Sequence, residues 1–109
     1  MSIEQSDVVD IFGIDKVTGA VTLAISDHLD WSDESQHLHL LQEKLNAYFE
    51  FIESGELINS CPVAIGRRVE IRVFAKYDLP EAGRVFLADA GGILGNSGVA
   101  LKFQFLPET

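Results

Sequence analysis

Asp27, His28, Asp30 and Asp33, with Glu34 beside them, bring carboxylates and one imidazole together in a single short stretch, around Trp31. Carboxylate oxygens with one imidazole suit a hard or borderline divalent cation, or an acid–base pair. The spacing fits no EF-hand loop, because the glycine at its sixth position and the glutamate at its twelfth are missing. The same residue types also serve turns and helix caps. Asp27, His28, Asp30, Trp31 and Asp33 therefore form a candidate ligand loop with a competing structural role. His37 and His39 have the form of a chelate, but two positions on a helix lie about 200° apart, so they cannot share one ion. His37 is expected at the surface or partly buried, paired at most with Asp33 and Glu34. Cys61 has no neighbouring histidine and precedes a proline, which reads as an idle thiol. The run from Gly91 to Gly98 matches no phosphate-binding fingerprint and falls at a helix C-terminus, where the dipole repels anions. No cofactor is expected.

The elements that must position these residues follow from periodicity. Leu38, Leu41, Leu45, Tyr48, Phe49 and Ile52 form one apolar stripe at period 3.6, predicting a helix from Asp33 to Ser54. Such a helix is about 33 Å long at 1.5 Å per residue. Ser32 is the expected N-cap, and Gly55 the left-handed residue that ends the helix. Before it, the β-prone runs Val8 to Ile14 and Ala20 to Ser26 flank a short loop ending in Gly19 and read as a hairpin. Val21, Leu23 and Ile25 then share one face, opposite Thr22, Ala24 and Ser26. After it, residues 56–66 form a connector, and Arg68 to Tyr77 a strand with Val69, Ile71, Val73 and Ala75 inward. A second helix starts near Pro80, with Asp78 or Leu79 at its cap, and runs to about Leu94. It is weakened by Gly83, Gly91 and Gly92. Val99, Leu101, Phe103 and Phe105 alternate with Ala100, Lys102 and Gln104 in a last strand.

The order β-β-α-β-α-β predicts an α+β two-layer sandwich, a four-stranded mixed sheet with both helices on one face. A chain of 109 residues makes one domain, 1–109. No apolar run approaches the roughly 18 residues of a membrane span. One cysteine and an acidic N-terminus suit a cytoplasmic protein. The net charge of −9 is uneven: the first sixty residues hold twelve acids against Lys16 and Lys44, and the rest of the chain is close to neutral. That balance opposes nucleic acid and favours a basic protein partner.

Two surfaces fit such a partner. One is the exposed side of the long helix, with Glu43, Glu50 and Glu53. The other is the outer sheet face, where Arg68, Glu70, Arg72 and Phe74 lie with Lys76, Lys102 and Gln104. One aromatic among these bases is too few for a nucleic acid platform, so this face suits a protein contact and a homodimer.

Ser26-Asp-His-Leu-Asp-Trp31, Leu40-Leu-Gln-Glu-Lys-Leu-Asn-Ala-Tyr48, Phe51-Ile-Glu-Ser-Gly55 and Ala75-Lys-Tyr77 together resemble a family of small uncharacterised bacterial proteins, a domain of unknown function. The resemblance covers residues from about Val8 to Phe105 and implies a bacterial, cytoplasmic, single-domain protein. It implies no catalytic residue, cofactor or partner. The function expected from the residues is a non-enzymatic protein-binding module, immunity-like or regulatory. The alternative is a small metal-assisted or acid–base enzyme built on Asp27, His28, Asp30 and Asp33.

Overall fold

The computed structural model describes residues 10–105, with side chains from Gly13 onward. The expected start of the first strand at Val8 lies outside the described residues. Strand β1 spans Asp10–Ile14 and β2 spans Val21–Asp27, paired antiparallel with a register shift between Ile11 and Gly13. Gly13, at φ +143°, supplies a backbone conformation at that bulge which other residues rarely adopt. In the hairpin loop the Asp15 carboxylate accepts from the Val17 and Thr18 N–H groups at 2.7 and 3.0 Å, and these bonds lower its pKa.

Helix α1 spans Glu34–Glu53, the short helix α2 Glu56–Ser60, strand β3 Val69–Ala75, helix α3 Glu81–Gly95 and strand β4 Val99–Phe105. The sheet order is β1-β2-β3-β4, with β2, β3 and β4 parallel. Each parallel connection moves one strand in the same direction, and right-handed crossovers then carry α1 and α3 onto the same face. The four-stranded mixed sheet and the α+β class are as expected from the sequence. In the core, Val21, Leu23 and Ile25 of β2, Ile71 and Val73 of β3 and Val99 of β4 meet Leu41, Leu45 and Tyr48 of α1 and Leu87 and Leu94 of α3. The Tyr48 hydroxyl donates to the Ala24 carbonyl and so fixes α1 over β2.

Three local expectations change. The cap of α1 is Asp33, not Ser32: the Asp33 carboxylate accepts from Gln36 N–H at 3.2 Å, while the Ser32 hydroxyl is turned to Asp30. The connector is ordered as α2 and a 3-10 turn at Pro62–Ala64, because Leu57 and Ala64 both find places in the core. The residue before α3 is Pro80 itself, with extended backbone. Gly55 is left-handed at φ +87°, as the helix end requires.

Candidate functional site

Strand β2 ends by delivering Asp27 to the start of α1. There the Asp27 carboxylate meets His37 Nε2 at 2.5 Å, and His37 Nδ1 meets the Asp30 backbone carbonyl at 2.8 Å. A carbonyl can only accept, so Nδ1 carries a hydrogen. Trp31 stacks on the imidazole with ring centroids 3.6 Å apart and planes 15° from parallel. The other Asp27 oxygen accepts from Leu29 N–H at 3.2 Å, and the Asp27 carbonyl accepts from Lys76 N–H at 2.9 Å. The side chains of His37 and Asp27 are 2% and 1% exposed. Trp31 reaches on to α3, where a Cβ at Gly83 would lie 3.2 and 3.3 Å from its indole and 2.9 Å from Leu79 Cδ2. Gly83, a weak point of its helix by propensity, is where α3 comes close enough to seat the tryptophan.

The cluster ties β2, its following loop, α1 and α3 into one joint. Both imidazole nitrogens face acceptors, one ring face is covered by Trp31, and nothing of the Asp27–His37 pair opens to solvent. It is suited to holding the fold together; a substrate could reach it only if the joint opened. The remaining loop residues divide between backbone work and the surface. Asp33 caps α1. Asp30 accepts from the Ser32 hydroxyl at 2.7 Å and from Ser32 N–H at 3.2 Å, bonds that lower its pKa. His28, next to the buried Asp27, is exposed. Among the described residues no three His, Cys, Asp or Glu side chains converge in a way that could hold a metal ion.

His37 departs from the expectation of a surface or partly buried residue that pairs at most with Asp33 and Glu34. Its partner is Asp27, ten residues back, and its face of α1 is the buried one. His39 points outward and pairs with Glu43 at 2.8 Å in an exposed i,i+4 contact. Lys44 is likewise fully buried on α1, its ammonium 5.3 Å from the centre of the Tyr48 ring. Neither burial was legible from the leucine stripe. Cys61 is half-buried against the core.

On the outer sheet face, Arg72 donates to the Glu70 carboxylate of its own strand from Nε at 2.9 Å and Nη2 at 2.5 Å. Glu70 is buried and Arg72 and Phe74 half-buried, while Arg68 is exposed. The ionic groups at the centre of that face thus satisfy each other within one chain.

The sequence left a further feature unseen. Between α1 and α3 runs a groove of about 190 Å³, floored by Leu45, Phe49, Phe86, Ala90 and Leu94 and rimmed by Gln42, Asn46, Asp89 and Ile93. Ile93 is 68% exposed at its lip. Phe49 belongs to the apolar stripe of α1, and only the packing of the two helices shows that it and Phe86 of α3 are half-open. Glu50 and Glu53 are exposed in the last turn of α1, which carries no basic residue.

A family of unknown function, DUF6572, matches residues 1–107. Comparison with curated proteins and with solved structures returns no match.

Proposed function

This chain belongs to the DUF6572 family, a family of unknown function, and for it we propose the role of a non-enzymatic protein-binding module that docks its partner in the groove between α1 and α3. The observation that carries this reading is the groove itself, an open and largely apolar surface between the two long helices. Grooves between two helices are a common seat for an apolar side chain presented by a partner. The residues best equipped for chemistry support it from the other side. Asp27 and His37 are sealed, and Asp30 and Asp33 spend their carboxylates on backbone and hydroxyl donors. An acid–base or metal-assisted site needs such groups facing a substrate.

The test is a titration of the ¹⁵N-labelled chain with a soluble helical peptide carrying leucines at i, i+3, i+4 and i+7. The expected shift changes centre on Leu45, Asn46, Phe49, Phe86, Ala90 and Ile93. Changes centred on the Asp27–His37 joint, or none at millimolar peptide, would count against the proposal.

A further inference from the structure

We infer that the occupant of the α1–α3 groove is a cationic amphipathic helix of another protein, with an apolar residue entering the groove and lysines or arginines over the C-terminal turn of α1. This rests on reading the groove as the docking site. The groove takes residues 42–49 of α1 and 86–94 of α3, roughly 12 Å of each helix at 1.5 Å per residue. A partner helix of two or three turns matches that length, with anchors three and four residues apart.

Charge selects among such helices. Glu53 lies one turn beyond Phe49 on the same lane of α1, and Glu50 lies beside it. Asp89 stands on the opposite rim. The C-terminus of α1 adds the negative end of its helix dipole, with no cation in its last turn to offset it. Glu56 follows at the start of α2, also exposed. Arg84 of α3 sits near the other end of the groove, where it is drawn to the Leu79 carbonyl at 3.3 Å and to Asp78 at 3.7 Å. Arg67 is similarly occupied away from the groove, donating to the Val63 and Gly19 carbonyls at 2.9 and 3.1 Å. The acids at the α1 end thus present a face that positive charge supplied from outside would complement. A second copy of this chain fits poorly, because its net charge of −9 would bring like charges together.

The experiment compares three helical peptides with one leucine pattern and with lysine, glutamine or glutamate at the outward positions. Their affinity for the full chain is read by fluorescence anisotropy at low and at high salt. The lysine peptide should bind about tenfold more tightly than the glutamine peptide at low salt, with the gap closing as salt rises. Ile93→Glu should remove most binding of the lysine and glutamine peptides. Glu53→Lys should weaken the lysine peptide and leave the glutamine peptide nearly unchanged. Lysine and glutamine peptides bound equally would overturn the cationic partner while leaving the groove as a docking site. Lysine-peptide binding indifferent to Ile93→Glu would also overturn it, since the attraction would then be general. Absence of binding by all three would overturn the groove and the partner together.

Discussion

Two regions on the helical side of the sheet treat their side chains in opposite ways. At the end of β2, the groups most capable of chemistry, Asp27 and His37, are closed in by Trp31 and by backbone. Along α1 and α3, the groups most suited to a core, Phe49, Phe86 and Ile93, are left partly open. Burying an ionisable pair is costly unless every polar atom is matched, and in this pair each is. Leaving apolar area in water forgoes stabilisation of about 25 cal/mol per Å². The difference teaches that residue type alone misplaces side chains here: the polar pair is closed inside the fold, and the apolar groove stands open at its surface.

The comparison breaks most readily at the closed joint. Asp27→Ala leaves His37 buried without its carboxylate, and truncating one member of a buried pair costs about 3–5 kcal/mol. His37→Ala should cost a similar amount, and the double variant clearly less than the sum, since the two share one interaction. Urea denaturation of the four proteins checks this; strictly additive losses would mean the residues act separately.

Gly83 sharpens the same region at a smaller scale. Alanine is better than glycine in a helix interior by about 1 kcal/mol, yet Gly83→Ala should destabilise, because its methyl meets an indole held in place by His37. With Trp31→Leu already present the same change should turn neutral or stabilising. Thermal melts of the single and double variants decide it, and a gain in the wild-type background would show that Trp31 yields.

The open region should respond weakly. Ile93→Ser and Ile93→Glu remove an exposed side chain and should stay within about 0.5 kcal/mol of the parent protein. A loss of several times that in urea would make the groove part of the core.

Asp30 gives the smallest effect, with a definite sign. Its carboxyl pKa is lowered by the Ser32 hydroxyl and backbone N–H. The contribution is therefore fully present above the ordinary carboxylate range and is lost as pH falls through the lowered value. Asp30→Asn should lower stability slightly at neutral pH and flatten the acid limb, so that variant and parent converge as pH falls. A loss that persists undiminished at acid pH, with both proteins giving the same acid limb, would contradict the assignment.

The sequence made α1 legible because six apolar residues keep one period over most of the helix, and Gly55 marks its end. It made the sheet legible because β2, β3 and β4 alternate cleanly. It hid the joint because Asp27 and His37 lie ten residues apart across a turn, and a helical wheel places His37 and Lys44 only at the margin of the stripe. Their burial follows from how α1 lies on β2, which Tyr48 sets through Ala24. The groove was hidden for a related reason. Phe49 and Phe86 belong to different helices, and the gap between them is a property of the pair. On the outer face, the expected basic and acidic residues are present, but Arg72 and Glu70 are two apart on one strand and satisfy each other.

Lysine-peptide affinity and urea stability, measured together in Asp27→Asn and Ile93→Glu, separate the closed joint from the open groove most directly. Asp27→Asn should lose stability while its folded fraction binds like the parent protein, and Ile93→Glu should keep its stability while losing most affinity. The reverse pattern, binding lost with Asp27 and kept with Ile93→Glu, would contradict that separation.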